Sequence, residues 1–188
     1  MYAKFGKRVL DLVMSLLALI ILSPILLITA ALIVIDDGLP ILFSQDRVGK
    51  GRSTFKIYKF RSMKTGVGDI PSATAPTDTI TPVGKLIRRM SIDELPNLLN
   101  IVKGDMSIVG PRPPLPSQAA LLNTRSTHGG ENLRPGLTGL AQIHGYDGMT
   151  EEERGLLDAE YERKVSLAFD CLIILKTFGY LLRKPPVY

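Results

Sequence analysis

Two adjacent carboxylates in Ser91-Ile92-Asp93-Glu94 are the residues best placed to do chemistry. Ser91 as N-cap and Glu94 at the third helical position have the form of a capping box, which makes helix initiation one reading of the pair. The other reading is chemical. An Asp in the first turn of a helix is kept ionised by the macrodipole, and the unpaired N–H groups there can hold a phosphate. An anionic nucleophile would then stand beside a phosphate cradle. Lys85, Arg88 and Arg89 precede the pair on a predicted helix. They are either a solvated basic face or cations that let a carboxylate approach a diphosphate. Arg112 lies between prolines in Gly110-Pro111-Arg112-Pro113-Pro114. That backbone loses little entropy when the guanidinium grips an anion, so Arg112 is a candidate phosphate ligand, with a structural proline turn as the alternative. Arg134 to Gln142 (RPGLTGLAQ) combines two glycines that permit close backbone approach with Arg134, Thr138 and Gln142, which can bind polar groups.

Other chemistries lack their residues. The two histidines, His128 and His144, fall in no metal-binding spacing and form no Ser-His-Asp or Cys-His pattern. Neither GxxxxGK[ST] nor GxGxxG is present, which argues against P-loop and Rossmann nucleotide sites. The single cysteine, Cys171, excludes an intramolecular disulfide.

The elements that must position these residues begin in an apolar segment. The chain has 188 residues, 45% of them hydrophobic, with a net charge of +5 and a pI near 9.4. Apolar and cationic together suit a membrane surface. Nucleic acid is a poor partner, because zinc-finger spacing and a basic recognition helix with interleaved aromatics are both missing. Leu12 to Val34 carries no charge and has the length of a bilayer-crossing helix, too long for the apolar core of a cleavable signal. Ser23-Pro24 lies at its middle, where proline removes a backbone donor. Lys4, Lys7 and Arg8 precede the segment and a Lys/Arg-rich stretch from Arg47 to Lys64 follows it, which asks for both ends on the cytoplasmic side. A re-entrant helix-break-helix meets both conditions; a Pro-kinked spanning helix is the alternative, and local sequence leaves both open.

Downstream, residues 40–46 and 54–60 read as a β-hairpin and 65–81 as an exposed loop. Helical patterns follow at 82–90, 91–102, 116–124, 151–164 and 167–183, the last suited either to the membrane interface or to a core. The expected fold is α+β and mainly helical, with interfacial amphipathic helices: a re-entrant anchor over residues 1–36 integrated with a cytosolic, membrane-associated catalytic domain over 37–188.

In this order, the Ser-Pro-broken apolar segment, YKFRSM (Tyr58 to Met63), SIDELPNLLNIVKGDMSIVGPRP (Ser91 to Pro113) and RPGLTGLAQ (Arg134 to Gln142) resemble the bacterial sugar transferase family of monotopic phosphoglycosyl transferases. The likeness covers nearly the whole chain and matches the family's minimal form. It implies transfer of a sugar 1-phosphate from a UDP-sugar to a polyprenol phosphate, such as undecaprenyl phosphate, with release of UMP and use of Mg²⁺. The implied place is the bacterial inner membrane, with the active site on the cytoplasmic face. Asp93 would form a covalent phosphosugar intermediate and contact the metal, while Glu94 would assist proton removal or position the lipid phosphate and metal. Arg88 and Arg112 would stabilise the transferred phosphoryl group. Lys59 and Arg61 would support the site or the interface, and Asp158 and Tyr161 match a D-x-x-Y element. The sequence departs from the family pattern at Ile143-His144-Gly145-Tyr146 and at Lys164-Val165. A non-enzymatic binder of anionic lipid or nucleotide sugar and a membrane diphosphate hydrolase are the competing classes. Sugar identity and oligomeric state are left open.

Overall fold

The computed structural model describes residues 2–66, 76–145 and 148–183. The middle of the expected 65–81 loop, Tyr146 of the divergent stretch and Lys184 lie outside them. The first long element is α1 (Lys7–Asp37), 31 residues without interruption. Two helices separated at Ser23-Pro24 were expected, and one continuous helix is found. The local reason is visible: Ser23 Oγ donates to the Ile20 carbonyl at 2.8 Å, the acceptor that Pro24, lacking an N–H, leaves unserved.

One stripe of α1, through Asp11, Ser15, Leu22, Leu26 and Ile33, faces the rest of the protein at helical spacing. The opposite face leaves Leu17, Ile20, Ile21, Leu27 and Ile28 exposed. Both ends of α1 are tied to the same body. Arg8 donates to the carbonyls of Ile101 and Val102, and Asp11 accepts from Ser107 Oγ and Ile108 N. At the other end Asp36 accepts from Val83 N, and Arg61 donates to the carbonyls of Asp37 and Gly38.

β1 (Leu42–Val48) and β2 (Thr54–Phe60) form the antiparallel hairpin, with Leu42 opposite Phe60 and Val48 opposite Thr54. β1 begins later than the predicted strand, after Pro40, which has no ladder donor to give. α2 (Pro82–Arg89) starts at the Thr81 cap, whose hydroxyl accepts from Gly84 N at 2.9 Å. Gly84 packs directly on the Ser62 backbone, where any Cβ would collide with the Ser62 carbonyl. This close approach seats the helix that carries Arg88.

The predicted helix over 91–102 divides into two pieces. A 3₁₀ turn, Ile92–Glu94, precedes α3 (Asn97–Lys103), with Pro96 at the join. Next come β3 (Ser107–Val109), α4 (Ala119–His128), β4 (Gly136–Thr138), α5 (Leu140–Ile143), α6 (Glu151–Lys164) and α7 (Leu167–Arg183). β3 and β4 pair in parallel, which brings the GPRPP and RPGLTG segments together. The glycines of the second segment do approach a backbone closely, but it is that of Gly110 in the first. α4 starts three residues later than the pattern predicted, because Gln118 turns its side chain back to accept from Leu115 N.

Three apolar clusters hold these elements. Ala18, Leu19 and Leu22 of α1 pack on Ile57, Leu98, Ile101 and Met106. Leu26, Ala30 and Ile33 pack on Phe60 and Ile87. Val109, Leu140, Tyr161 and Ile173 join β3 to α5, α6 and α7. On α7, Asp170 and Ile173 are buried while Leu172, Leu175 and Phe178 remain exposed.

Candidate active site

The turn that carries Asp93 is not a capping box. Ser91 sits in the left-handed region at φ 54°, and its side chain caps nothing. The Glu94 side chain does not reach back to the Ser91 amide; it accepts from Lys59 Nζ at 2.6 Å and from Arg112 at 3.2 Å. A genuine capping box occurs elsewhere, at Thr150 and Glu153. Asp93 is therefore placed by a tight turn between α2 and α3.

Asp93 is 9% exposed, and among the described residues no donor hydrogen-bonds its carboxylate. Burial, then the adjacent negative charge of Glu94, pushes the Asp93 carboxyl up to about 6 against the opposing pull of Lys59, Arg88 and Arg112. Burial would also raise Glu94, but Lys59 and Arg112 override it and hold that carboxyl down at about 2. Two neighbouring carboxylates are thus driven apart, the pattern expected when two acids in one site have different tasks. Asp93 is the more basic member of the pair. Glu94 is permanently anionic and engaged by two cations.

Lys59, Glu94 and Arg112 line one cleft together with Arg47, Asn97 and Leu137. Lys59 arrives from β2, and its cross-strand neighbourhood explains Arg47. Phe43, Gln45 and Arg47 share a strand face with Phe55, Ile57 and Lys59 across the hairpin. Strand alternation thus puts Arg47 on the site face, a signal that could have identified it before the structure. Asn97 was also missed; it lies one turn beyond Asp93.

Arg112 is held by its own backbone. Four successive carbonyls in PRPP have donors: Pro111 O from Gly136 N, Arg112 O from Arg125, Pro113 O from Arg47 and Pro114 O from Val48 N. Arg125 is in turn paired with Asp158 at 2.7 Å, both side chains buried. Asp158 therefore positions Arg112 through Arg125 and does not line the cleft. Arg88, at the end of α2, donates from Nε to Ser62 Oγ at 2.8 Å.

The remaining candidates lie apart. Arg61 is tied to the end of α1 and forms an ion pair with Asp37 at 3.3 Å. Tyr161 is buried, its hydroxyl donating to Asp170 at 2.6 Å, and Asp170 also accepts from Tyr2 and Lys7. Burial, followed by the Asp170 carboxylate, pushes that phenol far above its usual range, so it stays protonated. Arg134 caps α3 by donating to the Gly104 carbonyl at 2.9 Å. Gln142 faces Gly139 from α5, and both polar atoms of its amide are buried without a partner among the described residues.

For a divalent cation, the described residues offer no cluster of three His, Cys, Asp or Glu side chains. Mg²⁺ needs less from a protein when it rides on substrate phosphates, since one or two carboxylates complete its shell. The Asp93 carboxylate, which among the described residues forms no ion pair, fits that use; Glu94 is already engaged by Lys59 and Arg112.

A family model described as bacterial sugar transferase matches residues 2–184. The chain is 42% identical over 184 residues to the undecaprenyl-phosphate glucose phosphotransferase of Komagataeibacter xylinus, covering 91% of this chain and 35% of that protein. It is 39% identical over 191 residues to the UDP-glucose:undecaprenyl-phosphate glucose-1-phosphate transferase of Caulobacter vibrioides, covering 97% and 72% respectively. The exopolysaccharide production protein PSS of Rhizobium leguminosarum is 40% identical, and the match covers 91% of this chain and 92% of that protein. The chain thus spans about a third of the Komagataeibacter protein but nearly all of the Rhizobium one. With the match running from the first turn of the membrane-type helix through α7, the chain belongs to the bacterial sugar transferase family.

Proposed function

We propose that the protein transfers a sugar 1-phosphate from a UDP-sugar to undecaprenyl phosphate through a phosphosugar-aspartyl intermediate on Asp93. The observation that carries this is the division between the two carboxylates: a buried Asp93 raised to about 6, beside a Glu94 paired with Lys59 and Arg112. Membership of the family and the substrates named for its relatives support the chemistry.

In the first step an Asp93 oxygen forms a bond to the β-phosphorus while the bond to the bridging oxygen breaks, and UMP departs with that oxygen and its electron pair. In the second, an oxygen of the lipid phosphate bonds to the same phosphorus and the Asp93 carboxylate leaves. Splitting the transfer lets two polyanions use one cationic cleft in turn. Lys59 and Arg112 take up phosphoryl charge, with Arg88 adding positive potential around Asp93. Glu94 serves as the anchor of Lys59 and Arg112; a carboxyl held at about 2 is a poor base, so proton transfer is not assigned to it. The Asp93 carboxylate would hold Mg²⁺, which would supply charge neutralisation to the substrate diphosphate. Incubating the protein with Mg²⁺ and a UDP-sugar panel, with and without undecaprenyl phosphate, tests the reading. Phosphosugar-sized intact-mass shifts with UMP release are expected for at least one donor. Continuous UMP release without lipid acceptor would instead mark a hydrolase, and no adduct or UMP with any donor would leave a binding protein.

The proposed membrane arrangement is re-entrant, at the inner membrane with the cleft on the cytoplasmic face. At 1.5 Å per residue the 31 residues of α1 cover ~46 Å, enough to cross a ~30 Å hydrocarbon core. Crossing would separate its ends by the bilayer, yet both ends bond to one body. The exposed apolar faces of α1 and α7 are then the lipid contacts, α7 lying in the interface. Cysteines introduced near Phe5 and near Gly38 should both react with a membrane-impermeant maleimide only from the cytoplasmic side. Labelling of the N-terminal one from the periplasm would mean a spanning helix.

A further inference from the structure

α3 carries two buried asparagines with opposite circumstances. Asn100, fully buried, has its amide engaged: Oδ1 accepts from Tyr58 N at 3.1 Å, and Nδ2 donates to the Lys56 carbonyl at 2.7 Å. With Lys103, which donates to the Tyr58 hydroxyl, it binds α3 to the hairpin. Asn97, 2% exposed, has a buried Oδ1 with no donor among the described residues. It lines the cleft beside Lys59, Glu94 and Arg112. Leaving a buried acceptor unpaired is destabilising, and a leucine there would avoid the cost. An asparagine kept at this position needs a partner that arrives with the substrate.

The chemistry of a nucleotide sugar narrows what that partner is. Diphosphate oxygens only accept, so they cannot pair with Oδ1, and the neighbouring cations already suit them. The donors are hydroxyls, an acetamido N–H and the uracil N–H. Asn97 lines the cleft beside Glu94, whose chain neighbour Asp93 must touch the phosphorus that bears the sugar. The sugar is the donor-bearing part within that reach. Resting on the proposed phosphosugar transfer, we infer that Asn97 accepts a hydrogen bond from the sugar substituent next to the anomeric carbon, a hydroxyl or an acetamido N–H, and so helps determine which sugar is transferred.

The test compares kcat/KM for UMP release with matched donors: UDP-glucose against UDP-2-deoxyglucose, and UDP-N-acetylgalactosamine against UDP-2-deoxygalactose. The wild-type protein should lose about 10–100-fold on the deoxy member of the pair it uses. Asn97→Leu, close in volume and without an acceptor to satisfy, should turn over both members within about threefold of each other; Asn97→Ser serves as a second variant should leucine perturb folding. Discrimination that persists in both variants, or a loss shared equally by both donors, overturns the assignment. A change confined to UDP against CDP donors also overturns it, moving Asn97 to the base. A wild-type adduct on Asp93 accompanying any of these outcomes leaves phosphosugar transfer intact, whereas no adduct and no UMP with any donor removes both.

Discussion

Asp93→Asn is expected to lower UMP release by about 10³-fold or more and to abolish the phosphosugar mass shift, because the amide oxygen is a poor nucleophile. The same substitution should stabilise the protein at pH 7.5. A carboxyl raised to about 6 in the folded state favours folding while it is protonated, and that contribution disappears as pH rises through 6. At pH 7.5 the charge is a net cost, which asparagine removes. Thermal unfolding should therefore show a midpoint roughly 2–4 °C higher for the variant at pH 7.5, with the gap closing toward pH 4. The wild-type rate should fall as pH drops below about 6, following loss of the ionised carboxylate. A lower midpoint at pH 7.5 would mean that Asp93 is a structural partner, and an undiminished rate would reject it as the nucleophile.

Asp158→Ala should lose activity by the opposite route. Burial pushes the Asp158 carboxyl up, and Arg125 offsets part of that, so the pair contributes little net stability. Removing one partner is different, since it strands the Arg125 guanidinium, 5% exposed, without a counter-charge. The expected destabilisation is about 3–5 kcal/mol, measured by denaturant unfolding in detergent. Because Arg125 also holds the Arg112 carbonyl, surviving folded protein should show weakened UDP-sugar use. Restoring the pair geometry with Asp158→Asn should recover part of the stability. Full activity and stability in the alanine variant would show that Arg112 is positioned without this chain of contacts.

These two substitutions separate what could be read from the sequence. The meeting of Arg112 with the carboxylate pair could be anticipated from local features: a carboxylate pair after a basic helix, and an arginine whose neighbours are prolines. The apolar anchor, hairpin and main helices were legible from periodicity. The Asp158 role was not, because it passes through Arg125, a residue 33 positions away on another helix. Ser91 misled for a simple reason: the capping pattern was present, but Pro96 lets α3 start only after it, which frees Glu94 for Lys59 and Arg112. β3 and β4, three residues each, are too short to leave an alternating pattern. Asn97 reads as an ordinary polar helix residue until its burial is known.

The seating of Pro111 to Pro114 also bears on when the cleft forms. Its four carbonyl donors come from Arg47, Val48, Arg125 and Gly136, on both sides of it in the chain. Such long-range closures pay their loop entropy before they are rewarded. A chain emerging from the ribosome can build α1, the hairpin and the Lys59–Glu94 contact early, but it cannot lock Arg112 until Gly136 has been made. The cationic cleft is therefore among the last features to mature, after the long apolar helix has already been synthesised.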